Sequence, residues 1–177
     1  MAPTVGRVQQ CAMPQLTPQP PEWIHSAPFQ ASATREIDAT PDEVFTALAD
    51  HESWPEWFET IIGVERFGDL HEGLGSNRRV FINKRVAVDE EFNVWEPGER
   101  WGFVVLSATV PGLKSMVELV TIEDLGDGRS SVTYTMGVEG KFPLSLLLKG
   151  ATGTMSKNLG SALSNLGPHI AANRGAA

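Results

Sequence analysis

Four polar residues set in apolar, strand-like sequence have the types and spacing to do chemistry: Arg78, Glu90, Glu118 and Tyr134. Side chains of a strand alternate between two faces, and each of these residues keeps step with apolar neighbours. Glu90 shares a face with Val86, Val88, Phe92 and Val94, and Tyr134 with Val132, Met136 and Val138. Glu118 falls with Met116, Val120 and Ile122, and Arg78 with Val80 and Ile82. With those faces turned inward, the four groups meet as a polar network inside an apolar chamber, because a buried carboxylate is costly unless paired. Such a network can orient a carbonyl, hydroxyl or carboxylate of a ligand. Glu90 and Tyr134 are then the candidate catalytic groups, suited to general acid–base steps. The alternation is ambiguous at Arg78, where Phe81 opposes Val80 and Ile82, and the orientation of Glu118 is also open. Outward faces would leave these groups in water.

The apolar part of the expected ligand surface is Val80, Phe92, Met116 and Met136 on strands, with Met155 and Leu159 on a helix. Trp54, Trp57 and Phe58 either gate the mouth of the chamber or anchor a pair of short helices. His25, His51, His71 and His169 show no HxxxH or HExxH spacing, and the single cysteine, Cys11, lies near the start, so no metal site is expected. No GxSxG elbow, P-loop or GxGxxG turn occurs, so nothing implies a nucleotide or other cofactor.

These residues need a scaffold, and the sequence punctuates one clearly. Residues 29–37 read as a first strand. Thr40, Pro41 and Glu43 form a helix start with a capping box, followed by Val44, Phe45, Leu48 and Ala49 at helical spacing. Residues 54–58 form an aromatic turn or short second helix. Strand signals then recur at 61–67, 76–83, 85–95, 100–108, 114–125 and 129–138, separated by turn residues. Gly126-Asp127-Gly128 suits a hairpin, and such short connections favour an antiparallel meander. From about Leu144, apolar residues recur every three or four positions, marking a long final helix. Gly150, Gly153 and Gly160 interrupt it, through close approach of something to its backbone or simply tolerated by its packing. Gly167-Pro168 is expected to end or kink it.

At 177 residues the chain has room for one domain with a tail. Residues 1–28 carry six prolines and no periodicity, and read as a disordered extension ahead of a ligand-binding domain at 29–177. Trp23 and Ile24 within it are either an anchor on the domain or an exposed pair. The net charge of −8 argues against nucleic acid; the nearest basic group is Arg78, Arg79, Lys84 and Arg85. The first residues do not resemble a signal peptide, and no apolar run is long enough for stable membrane insertion. The expected location is cytoplasmic.

The order of strand, two short helices, meander and long C-terminal helix resembles the START-like (SRPBCC) superfamily, the helix-grip class that includes Bet v 1-type pollen allergens. The segments 39–45, 50–57 and 91–97, the last ending in Trp95-Glu96-Pro97, are similar to that class, as is the Gly126 hairpin. The pattern covers about residues 29–170, and within the superfamily the chain is most similar to the polyketide cyclase/dehydrase and lipid-transport group. The resemblance implies an α+β fold: a curved antiparallel sheet of about six or seven strands, two short helices and a long C-terminal helix. It also implies a hydrophobic small molecule as partner, such as a lipid, quinone or polyketide, bound or transported in an internal cavity. A cyclase, aromatase or dehydratase using cavity acid–base residues is the alternative. A third reading is a protein-interaction module without ligand, which leaves its protein partner open.

Overall fold

A computed structural model describes residues 13–174. Seven strands, β1 (Phe29–Ile37), β2 (Gly63–Phe67), β3 (Asn77–Phe81), β4 (Ala87–Glu96), β5 (Arg100–Ala108), β6 (Leu113–Gly126) and β7 (Arg129–Gly140), form one antiparallel sheet in the order β1-β7-β6-β5-β4-β3-β2. Helices α1 (Pro41–Ala49) and α2 (Trp54–Trp57) connect β1 to β2, and α3 (Leu144–Asn173) follows β7. This is the helix-grip arrangement: a curved antiparallel sheet, two short helices and a long C-terminal one.

Local chemistry explains the main boundaries. The Thr40 hydroxyl accepts from the Glu43 amide, the Glu43 carboxylate accepts from the Thr40 amide, and Pro41 opens α1. The β6–β7 hairpin turns through Gly126, Asp127 and Gly128 with φ of 76°, 53° and 72°, a left-handed path these residue types tolerate. The core lies between one face of the sheet and the helices, with Trp54, Phe92, Trp101 and Phe103 at its centre and Leu159, Leu163 and Leu166 closing it from α3.

The structure bears on two sequence expectations about α3. Gly167-Pro168 does not end it; the helix continues to Asn173. Pro168 forfeits the bond to the Ser164 carbonyl, but Leu166 and Ile170 bury their side chains in the core and hold that turn. The glycines are not alike. A Cβ on Gly160 would stand 2.7 Å from the end of the Arg35 side chain and 3.5 Å from Ala33 Cβ, so β1 does approach the helix closely there. At Gly150 and Gly153 a Cβ would meet nothing within 4 Å.

The larger difference concerns the extension. Residues 13–28 are not free of the domain; residues 1–12 lie outside the described part. The β5–β6 ladder ends at Val104 and Val117, and Pro14–Thr17 enters the gap beyond. The Leu16 amide donates to Leu106 O (2.8 Å), the Ala108 amide to Pro14 O (3.1 Å) and the Thr17 amide to Lys114 O (2.8 Å). A 3-10 turn at Pro21–His25 then sets Ile24 on Val104 and Val117, on the face of the sheet away from the helices. Gly137 makes room, since a Cβ there would stand 2.9 Å from Ala27 Cβ and 3.1 Å from Ile24. The cause is the apolar run of β5, Trp-Gly-Phe-Val-Val-Leu, which demands cover on both faces.

Candidate functional site

Arg78 and Glu90 are cross-strand partners on β3 and β4. Arg78 Nε donates to Glu90 Oε2 at 2.6 Å, and the two residues are 0% and 3% exposed. Aromatic faces surround the guanidinium: its carbon lies 4.1 Å from the Trp54 ring centre and 5.1 to 5.2 Å from those of Phe92, Trp101 and Phe103. Cation–π attraction of this kind strengthens on desolvation. It does not replace hydrogen bonds, and Nη1 and Nη2 of Arg78 have no partner among the described residues.

Across the sheet, the Tyr134 hydroxyl on β7 donates to Glu118 Oε2 on β6, and both side chains are buried. Burial, then the nearby charge of Glu90, pushes the Glu118 carboxyl up to about 8. Burial also raises Glu90, against the charge and hydrogen bond of Arg78. The Tyr134 phenol rises well above its ordinary value, through burial and then the charge of Glu118. At neutral pH Glu118 therefore holds a proton, and the site offers two kinds of donor: the free guanidinium nitrogens and a carboxylic acid–phenol pair.

All four groups line one cavity of about 110 Å³ between the sheet and α3. Arg78 and Glu118, ambiguous in sequence, both turn inward. Val80, Met116, Met136, Met155 and Leu159 line the cavity, and so do Trp54 and Phe58. Phe92 does not: it lies deeper in the core, stacked on His51 at 4.8 Å and 5.0 Å from Trp101. Trp57 is also outside the lining, buried against Trp54 and Phe58 as a packing anchor and not a gate. Trp54 is the platform under Arg78, not a mouth residue. Sequence reasoning missed Thr60, Ile61, Ile82, Val88, Phe103 and Asn158. Val88 and Ile82 were legible from their shared faces with Glu90 and Arg78, and Asn158 from its place one turn after Met155. A small surface pocket shares Phe58, Thr60 and Asn158 with the cavity, so these residues separate the two between the α2–β2 connection and α3.

His51 is buried under the same aromatic cluster, and burial holds its imidazole down at about 3, so it is neutral and adds no charge to the site. Among the described residues no three His, Cys, Asp or Glu side chains are grouped to hold a metal ion, and no helix is long and apolar enough to cross a membrane.

Fold and cavity together define a helix-grip protein with an internal chamber. The chain belongs to the family described as polyketide cyclase/dehydrase and lipid transport, which matches residues 28–170. Both activities in that description handle hydrophobic small molecules. An uncharacterized protein of Mycobacterium tuberculosis is 29% identical over 114 residues, 64% of this chain and 68% of that one. A START superfamily protein from Mycobacterium smegmatis superposes with a TM-score of 0.66 at 17% identity, over 80% of this chain and 99% of that one. The Zhui aromatase/cyclase from Streptomyces sp. R1128 gives a TM-score of 0.68 at 15% identity, over 81% of this chain and 94% of that one. At those identities the two structures speak to the fold alone.

Proposed function

We propose that this protein binds a hydrophobic molecule carrying an oxygen function, a carbonyl, hydroxyl or carboxylate, with the oxygen held at Arg78. The observation that carries this reading is the unpartnered pair Nη1 and Nη2 of a fully buried arginine beside a cavity. Leaving such donors unpaired costs on the order of 1–3 kcal/mol each, and a ligand oxygen removes that cost. The surrounding wall of Val80, Met116, Met136, Met155 and Leu159 offers shape and apolar contact in place of further hydrogen bonds. A cavity of about 110 Å³ is small beside the roughly 300–1,000 Å³ of drug-sized ligand sites. It accommodates one end of such a molecule, about a single ring, while the rest leaves past Phe58, Thr60 and Asn158. Flexible methionines at three positions of the lining allow the chamber to widen.

The test is native mass spectrometry, with organic extraction, of the protein as purified. A co-purifying apolar molecule bearing oxygen, weakened in binding by Tyr134→Phe or Glu90→Gln, supports the reading. A clean apo mass with no uptake of fatty acids, quinones or fluorescent apolar probes overturns it.

One observation favours a second reading, turnover by cyclisation or dehydration. Glu118 and Tyr134 form an acid–phenol pair on the cavity wall, protonated near neutral pH, as a general acid must be. Consumption of a poly-β-carbonyl substrate by the wild type but not by Glu118→Gln, with ligand uptake unchanged, would select it over binding alone.

A further inference from the structure

The start of α3 presents a cluster of exposed large apolar side chains that includes the two least buried among the described residues, Phe142 and Leu147. Phe142 is 78% exposed, Leu146 56% and Leu147 68%. Pro143 beside them is exposed too, whereas Leu148 turns inward on Gly140. The face continuing from Leu146 passes Gly150, Gly153 and Lys157, one to three turns on. The two glycines have nothing within 4 Å of where a Cβ would stand, so this side of the helix is low and open.

Charge is distributed to match. Residues 141–177 hold four of the 14 Lys and Arg residues, Lys141, Lys149, Lys157 and Arg174, and none of the 22 Asp and Glu. This stretch therefore carries +4 and the remaining residues −12. Lys141, Lys149 and Lys157 are exposed, and none makes an ion pair among the described residues. The nearest acidic group on the adjoining strand, Glu139, is already held by Lys114 at 2.7 Å.

From this juxtaposition of three exposed apolar side chains and three free lysines we infer that the start of α3 is a docking surface for an anionic lipid bilayer. Phe142, Leu146 and Leu147 enter the boundary between headgroups and acyl chains, and the lysines lie along the headgroups. The acidic remainder of the molecule is repelled, which fixes the orientation. The attachment proposed is peripheral and reversible, through a face laid on the headgroups; no helix among the described residues is long and apolar enough to cross a membrane. Met155 of the cavity lining lies eight residues beyond Leu147, about 12 Å along the helix. Docking thus brings Asn158, which lines both the cavity and the surface pocket beside it, close to the lipid surface. The inference does not depend on what the cavity holds.

Flotation of the full chain with vesicles tests it, comparing phosphatidylcholine alone with a phosphatidylcholine–phosphatidylglycerol mixture. The wild type should float with the anionic vesicles and less with added salt. Leu146→Ser/Leu147→Ser should lose at least about tenfold in apparent partitioning, since burial of each leucine is worth more than that when complete. Lys141→Gln/Lys149→Gln should lose roughly fivefold per lysine. Phe142→Ser, which precedes the helix and leaves its turns intact, should weaken flotation independently, and the circular dichroism of every variant should match the wild type. The inference is overturned by failure to float with anionic vesicles, or by equal flotation of the leucine variant. It is also overturned if sedimentation velocity shows a dimer that Leu146→Ser/Leu147→Ser dissociates, because a second copy then covers the patch.

Discussion

Replacing Glu118 by glutamine should make the protein more stable at pH 8 than the wild type, with a gain that disappears towards pH 4.5. The Glu118 carboxyl sits near 4.5 in the unfolded chain and at about 8 in the folded one. Between those values the folded state holds a proton that the unfolded state has released. Stability therefore falls as pH rises across the interval and is fully retained only below it. At about 1.4 kcal/mol per pH unit, the span from about 4.5 to about 8 is worth about 5 kcal/mol at most. Glutamine has nearly the shape of the protonated acid and does not titrate, so any cost of its extra N–H is the same at every pH. Urea unfolding of both proteins at pH 5, 6.5 and 8 measures the difference, and the slopes test whether the same surface is exposed throughout. A difference in unfolding free energy that stays constant across the three values would refute the argument. It would mean that water reaches Glu118 and that the cavity wall is not dry.

Other expected outcomes are more local. Arg78→Met strands Glu90 without its partner and should cost about 3–5 kcal/mol by urea unfolding, most of it recovered in Arg78→Met/Glu90→Met, where no buried charge remains. Thr40→Ala should remove about 1 kcal/mol and lower the melting temperature, through loss of the cap on α1. Gly150→Ala, into open space, should stabilise α3 by up to about 1 kcal/mol, and a lower melting temperature would show that its backbone is needed bare. Gly137→Ala should push Ile24 and Ala27 off the sheet, which limited proteolysis would report as new cleavage ahead of β1.

The strands and their inward faces were legible because alternation and turn residues both pointed to them; residues 100–108 coincide with β5. Alternation assigns a face but not a depth along the strand. Phe92 shares the face of Glu90, yet it stands further along β4, beside a register shift, among His51, Trp95 and Trp101. Arg78 was undecidable alone and became clear only once the register set it opposite Glu90. Nor does type and spacing separate a packing tryptophan from a gating one, as Trp57 illustrates. The docking of residues 13–28 was legible only in part, for a different reason. Trp23 and Ile24 offered an anchor, and Ile24 is one, but the backbone hydrogen bonds of Pro14–Thr17 leave no mark in composition, and the need for cover showed in the apolar run of β5.

That docked segment bears on where this protein can be cut. The family match begins at residue 28, so a minimal fragment drawn to that boundary would keep the cavity and every residue around it. It would also part Leu106 and Ala108 from Leu16 and Pro14 and strip Ile24 from Val104 and Val117. Two strand ends with open amide and carbonyl groups, next to a bare apolar strip, invite strand addition from a neighbouring molecule. The trimmed protein should therefore be the one that aggregates, while its binding site is chemically intact.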